Sequence, residues 1–75
     1  EDPDNMQKRY DLAIAQFGSG ASTDAISTLL DMIKNNRNWN DDAARLQLLE
    51  IFAALGATAP EVKEGRKQLS SLLFS

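Results

Sequence analysis

The sequence predicts an all-α fold in which two antiparallel helical hairpins stack as a short array. Three observations lead to this prediction: apolar residues recur at helical spacing in four segments, short polar turns separate these segments, and the two halves of the chain resemble each other. The predicted helices cover residues 3–17, 23–35, 41–55 and 59–74. Because the connections are short, consecutive helices are expected to be antiparallel neighbours in one domain of residues 1–75.

The composition excludes several classes of function. The 75 residues include no cysteine and no histidine, which removes disulfides, a thiol nucleophile, the commonest metal ligands and the usual general base near neutral pH. The net charge of -3 argues against nucleic-acid binding, and no apolar run approaches the roughly 20 residues that cross a membrane. We therefore expect a non-catalytic cytoplasmic protein that binds no cofactor, no metal, no nucleic acid and no membrane.

The first two predicted helices have recognisable ends. Pro3 suits the first helical position after a cap at Asp2, and the glycine-rich segment 18–20 ends the first helix. Ser22 is expected to cap the second helix. The predicted inward-facing residues are Met6, Tyr10, Ala13, Ile14 and Phe17 on the first helix and Ala25, Ile26, Leu29, Leu30 and Ile33 on the second.

The third predicted helix follows the chain's one tryptophan. Trp39 is expected to pack over the start of this helix, and a role as a partner anchor is the alternative. Asn40 is expected to cap the first turn, where Asp41 and Asp42 place negative charge at the positive end of the helix dipole. Gly56 is expected to supply the left-handed residue that ends the helix. The predicted core residues are Leu48, Ile51, Phe52 and Leu55.

The adjacent carboxylates of Asp41 and Asp42 do not predict a metal site or an acid–base pair. Neighbouring residues on a helix point about 100° apart, so their side chains do not converge. Helix-end electrostatics explains the pair better. Arg45 follows three and four residues later, and we expect it to form a surface ion pair with one of the two aspartates.

The fourth predicted helix opens on a capping-box pattern, in which Thr58 is followed three residues later by Glu61. Its predicted inward-facing residues are Val62, Leu69, Leu72 and Leu73. Gly65 lies inside this helix and has two interpretations. It either lowers the stability of the helix by about 1 kcal/mol relative to alanine, or it allows another helix to approach closely.

The two halves of the chain match residue by residue. At an offset of 38, the residues Tyr10, Ala13, Ile14, Phe17 and Gly18 match Leu48, Ile51, Phe52, Leu55 and Gly56, and at an offset of 36 the residues Ser22, Ile26 and Ile33 match Thr58, Val62 and Leu69. A period of this length is typical of stacked helical repeats. Ala13 and Ala25 lie twelve positions apart, a spacing that resembles that of the small residues where the two helices of a tetratricopeptide repeat touch. Ile51 interrupts this pattern in the second half, so the second repeat is degenerate.

The most specific motifs are RNWNDDAAR at residues 37–45, LLEIF at 48–52 and LG at 55–56, and the segment RKQLSSLLF at 66–74 adds to them. Together they resemble the C-terminal tetratricopeptide module of bacterial thioredoxin-like co-chaperones, the chaperedoxins or YbbN-type proteins. The resemblance implies a thioredoxin-like domain upstream of this module, which agrees with a start at Glu1 that lacks an initiator methionine. It also implies three protein partners: a chaperonin, unfolded clients and the thioredoxin-like domain itself.

The last helix is the partner-binding element that the resemblance implies, through docking on the chaperonin. The predicted contact residues are Lys63, Arg66, Lys67, Leu69, Leu72, Leu73 and Phe74. The alternative is an amphipathic capping helix that keeps its leucines in the core and its charges in water. In that case the domain has a structural role in its parent protein or forms a weak homodimer.

Overall fold

The computed structural model describes residues 3–36 and 38–74. It contains four α-helices, α1 (Pro3–Gly18), α2 (Ser22–Asn36), α3 (Ala43–Leu55) and α4 (Pro60–Phe74), and no strand within those residues. The predicted all-α fold of helical hairpins is therefore confirmed. The cap predicted at Asp2 lies outside the described residues.

The second helix is at the centre of the fold, since α2 packs against α1, α3 and α4. Its buried residues are Ala25, Ile26, Leu29, Leu30, Met32 and Ile33. The sequence predicted all of these except Met32. A helix that borders several neighbours buries a wider arc than the stripe of roughly 100° that an ordinary surface helix presents, and this wider arc takes in Met32.

The hydrophobic core draws on every helix. Its largest fully buried side chains are Phe52, Leu29, Met32, Leu48, Ile51 and Val62. Tyr10, Phe17 and Leu55 are partly buried and pack against it. The prediction for Ile14 was wrong, because this side chain is 43% exposed whereas its repeat counterpart Phe52 is 1% exposed. Phe52 is buried because its ring has a second neighbour at Gly65 of α4, and no described contact of that kind covers Ile14.

The turn between α1 and α2 is a Schellman motif. Gly20 has a φ of 91°, and the N–H groups of Gly20 and Ala21 donate to carbonyls in the last turn of α1 at 3.1 and 2.8 Å. The predicted helix stop in the glycine-rich segment is thus confirmed. The carbonyl of Ala21 accepts the N–H of Ala25 at 3.0 Å, so Ser22 is the first residue of α2. The prediction that Ser22 caps this helix was therefore wrong.

The start of α4 also lies one residue later than predicted. The carbonyl of Ala59 accepts the N–H of Lys63 at 3.1 Å, which places Ala59 before the helix and Pro60 at its first position. A capping box needs Thr58 in the place that Ala59 occupies, so that prediction was out of register. Proline fits the first helical position because its missing N–H has no partner there in any case.

The turn before α3 differs most from the prediction. Asn40, Asp41 and Asp42 all have positive φ, at 49°, 56° and 66°, and α3 begins only at Ala43. Asn40 therefore does not cap the helix, and neither aspartate lies in its first turn. The N–H of Ala43 donates to the carbonyls of Trp39 and Asn40 at 3.3 and 3.2 Å, which closes a left-handed turn. Asparagine and aspartate are the non-glycine residues that best tolerate this conformation.

Gly56 ends α3, as predicted, but by a different geometry. Its φ of 95° is positive, while its ψ of 149° lies outside the left-handed helical region. Only glycine occupies this part of conformational space readily. The N–H of Gly56 donates to the carbonyl of Phe52 at 2.9 Å and so satisfies one of the last carbonyls of the helix.

Candidate protein-interaction surfaces

The outer face of α4 carries a basic stripe that ends in an exposed aromatic ring. Lys63, Lys67 and Phe74 follow one another at near-helical spacing on the side of α4 away from the core, and all three are exposed. Phe74 is 86% exposed, more than any other large apolar side chain that the structure describes. We name Lys63, Lys67 and Phe74 the α4 stripe. It presents two positive charges and one large apolar group to solvent.

The cations of α4 have no ion-pair partner among the residues that the structure describes, since no carboxylate there lies within ion-pair distance of Lys63, Arg66 or Lys67. Arg66 instead places its guanidinium carbon 5.9 Å from the centre of the Phe52 ring, which is a cation–π distance. The three cations of α4 outnumber its two carboxylates, Glu61 and Glu64, so this helix has a net charge of +1 in a chain whose net charge is -3.

The leucines predicted for docking are not equally accessible. Leu69 is 7% exposed and lies in the core, so it supports α4 from the inside. Leu72 and Leu73 are partly buried and pack against the core. Of the apolar residues predicted for docking, Phe74 is therefore the one that is accessible with α4 in place.

Gly65 is a close-approach glycine, one of its two predicted interpretations. It is buried, and a Cβ atom built there would lie 2.8 and 2.9 Å from the Cε1 and Cζ atoms of Phe52 and 3.1 Å from the Cγ2 atom of Ile26. Any side chain at this position would displace the Phe52 ring. The missing side chain is thus what lets α4 pack over α3 and α2 at this point.

Trp39 packs at the edge of the core, and the ring contact that the structure describes for it is with α1. It is partly buried, and its ring centre lies 5.6 Å from that of Tyr10 with the planes tilted by 54°. The Tyr10 hydroxyl in turn donates to the Gln47 Oε1 atom at 3.4 Å, a long hydrogen bond between α1 and α3. Ala13 and Ala25, the predicted small pair, are both 0% exposed on helices that pack together.

The acidic turn forms an ion pair. The Arg45 Nη2 atom lies 3.7 Å from Asp42 Oδ2, so the predicted pairing occurs with the second aspartate. Both side chains are more than a third exposed, and such a pair stabilises a protein by less than about 1 kcal/mol. Among the described residues, no group of three or more histidine, cysteine, aspartate or glutamate side chains is placed to hold a metal ion.

A second apolar surface lies on α3 and was not predicted. Leu46 and Leu49 are 51% and 40% exposed, and Ala53 on the same face is also exposed. We name Leu46, Leu49 and Ala53 the α3 ridge. The signal was present in the sequence, because α3 has only three polar residues, Arg45, Gln47 and Glu50, and so has apolar side chains on nearly all sides.

One cleft between α2 and α4 is acidic, because Glu61 and Glu64 line it and none of the cations that the structure describes does. Asp31 lines the clefts on either side of α2, and those clefts also contain Lys34 and Arg9. The concentration of negative charge is therefore confined to the cleft that Glu61 and Glu64 line.

A family model for the tetratricopeptide repeat matches residues 1–74. Because the match spans nearly the whole sequence, the chain belongs to the tetratricopeptide-repeat family. Comparisons with curated proteins and with solved structures gave no match. Tetratricopeptide repeats are typically non-catalytic modules that mediate protein–protein interactions. The match is to the repeat as a class, which is broader than the chaperedoxin module.

None of the helices that the structure describes is long and apolar enough to cross a membrane. The longest has 16 residues, and the most apolar, α3, has 13. About 20 largely apolar residues are needed to span the hydrocarbon core.

Proposed function

We propose that this domain is the protein-docking module of a chaperedoxin-type co-chaperone, and that the α4 stripe contacts a chaperonin or an unfolded client. The observation that carries the proposal is Phe74, an 86% exposed aromatic ring that follows two lysines with no ion-pair partner among the described residues. The resemblance of residues 37–56 and 66–74 to the chaperedoxin module supports it. In the complete protein, a thioredoxin-like domain precedes this module, and the protein works in the bacterial cytoplasm.

The proposed mechanism is noncovalent. The ring of Phe74 enters an apolar pocket of the partner, and Lys63 and Lys67 pair with carboxylates at the rim, as in helix-in-groove recognition. Full burial of a phenylalanine ring contributes roughly 1.5–3 kcal/mol before ordering costs. Since about 1.4 kcal/mol corresponds to a factor of ten, one such anchor changes affinity by about ten-fold to one hundred-fold. A contribution to affinity of this magnitude suits a partner that must be released.

The test is binding of the domain to a bacterial chaperonin, measured by biolayer interferometry. Phe74→Ala is expected to weaken binding at least ten-fold without lowering thermal stability, because the ring has almost no contacts to lose. The matched control is Leu12→Ala, which removes another exposed apolar side chain, 50% exposed on α1. Lys63→Gln with Lys67→Gln is expected to weaken binding most at low ionic strength, with Lys8→Gln as the charge control.

Equal binding by the Phe74→Ala and wild-type domains would place the contact elsewhere. If the wild-type domain does not bind, the co-chaperone proposal fails. The alternative is then a structural or dimerisation module. It predicts a mass that rises with protein concentration in sedimentation, and no dependence on the chaperonin.

A further inference from the structure

The third helix has the composition of a buried helix, although one side of it faces solvent. Ten of its 13 residues are apolar, and its inner face is buried through Ala44, Leu48, Ile51 and Phe52. Of the six other apolar residues, Leu46, Leu49 and Ala53 form the α3 ridge. Helices that are apolar on all sides are normally covered on all sides. The ridge therefore has the character of a contact surface.

The ridge is continuous along the helix. Leu46, Leu49 and Ala53 are spaced by three and four residues, so they lie above one another on one face and span about 10 Å along the axis. Single exposed leucines are common on protein surfaces, but adjacent ones form a patch. Rows spaced by three and four residues are the ridges that interdigitate when two helices pack.

The two edges of the ridge differ in charge. Phe52 follows Leu49 by three residues, and Arg66 lies over the Phe52 ring, so the edge of the ridge next to α4 is bordered by a guanidinium group. Arg45 precedes Leu49 by one turn on the same edge, and its pairing with Asp42 is loose at 3.7 Å. The opposite edge carries Glu50. A partner therefore meets positive charge on one edge only.

We propose that the α3 ridge binds an amphipathic helix of another protein that carries glutamate or aspartate beside its apolar stripe. The stripe covers Leu46 and Leu49, and the carboxylates face Arg66, whose charge no described residue neutralises. A partner with basic residues at this edge is rejected by like-charge repulsion. The ridge is far too short to supply the roughly 1,200 Å² that a stable dimer buries, which favours a helical ligand over a second copy.

The test uses two synthetic helical peptides with the same leucine stripe, one with glutamates beside the stripe and one with lysines. Fluorescence anisotropy is expected to show at least ten-fold tighter binding of the glutamate peptide to the wild-type domain. Leu46→Gln with Leu49→Gln is expected to weaken that binding at least ten-fold. Arg66→Gln is expected to remove most of the difference between the two peptides. The matched control Leu12→Gln, at an equally exposed leucine on α1, is expected to bind as wild type.

A titration of the isotope-labelled wild-type domain locates the peptide without any substitution. Amide shifts centred on residues 45–53 of α3 support the proposal, and shifts centred elsewhere overturn it. Equal binding of both peptides, no binding, or an equal loss in Leu12→Gln also overturns it. If sedimentation shows a dimer that the double variant abolishes, the occupant is a second copy and the proposal is wrong. Phe74→Ala should bind the glutamate peptide normally, which separates this surface from the proposed α4 contact.

Discussion

The first hairpin buries two alanines on helices that pack closely, whereas the second sets a large aromatic ring against a glycine. Ala13 and Ala25 are both fully buried on α1 and α2. In the second hairpin, the Phe52 ring of α3 lies against Gly65 of α4, and the two helices have few close backbone contacts. Phe52 and Gly65 do not replace the alanine pair, because the repeat offsets of 38 and 36 relate them to Ile14 and Leu29. The second hairpin is therefore not a copy of the first in the way its helices pack.

The largest predicted effect concerns the ring that separates the helices of the second hairpin. Phe52→Ala is expected to lower the free energy of unfolding by about 3–5 kcal/mol, because the ring is fully buried and its loss leaves a cavity between α2, α3 and α4. A domain of 75 residues has a total stability of about 4–11 kcal/mol, so this variant retains little. Urea denaturation followed by circular dichroism measures the change.

The repeat counterpart of this residue provides the control. Ile14→Ala on α1 is expected to change stability by less than about 1 kcal/mol, because Ile14 is 43% exposed. Equal losses of unfolding free energy in Phe52→Ala and Ile14→Ala would show that the two hairpins pack alike, which would contradict the difference in burial between the two residues.

The glycines that end α1 and α3 should also differ in how much their substitution lowers the stability of the domain. Gly56→Ala is expected to destabilise the domain by about 1–3 kcal/mol, because its combination of φ and ψ is open only to glycine. Gly20→Ala should have a smaller effect of about 1 kcal/mol, since the glycine of a Schellman motif adopts the left-handed helical conformation, which alanine enters at lower cost. Gly18→Ala, at the last position of α1 with nothing within 4 Å of the added methyl, is the control and should be neutral or slightly stabilising. Thermal unfolding ranks the three variants, and the reverse order would contradict the assigned geometry.

A substitution of small expected effect is the most direct test of the contact in the second hairpin. Gly65→Ala is expected to destabilise the domain by about 1 kcal/mol, because the clash with the Phe52 ring outweighs the gain in helix propensity. In a Phe52→Leu background the clashing ring atoms are absent, and the same change should become neutral or stabilising. A double-mutant cycle measures this coupling, and additive effects would show that the two residues do not press on each other.

The buried faces of the helices were predictable because periodicity reports burial directly. The whole predicted inner face of α2 is buried, and so are Leu48, Ile51 and Phe52 on α3. The same reasoning placed Ile14 inward, since a stripe of residues does not reveal how many neighbours a helix has. Met32 was missed for the same reason. These two errors lie at the edges of their stripes, where the position of the next helix decides burial.

The turn before α3 was not predictable from local preference. Asparagine and aspartate favour both helix caps and left-handed turns, so Asn40, Asp41 and Asp42 fit either arrangement. The candidate surfaces were predictable in part. The α4 cations were predicted as contact residues and are exposed, while Leu69 is buried and the α3 ridge was overlooked. The leucines of α3 had been assigned by spacing alone, which does not say which sides of a helix its neighbours leave uncovered.

The central position of α2 has a consequence for how the chain folds. Because α2 packs on α1 and then on α3 and α4, the first hairpin can form while the later residues are still being synthesised. Each later helix joins a face of α2 that already exists, and the short loops keep the entropy loss of each step small. Contacts between near neighbours in the chain also favour fast folding. The tolerance of the second repeat for a degenerate sequence follows naturally, since it folds against a template that the first repeat supplies.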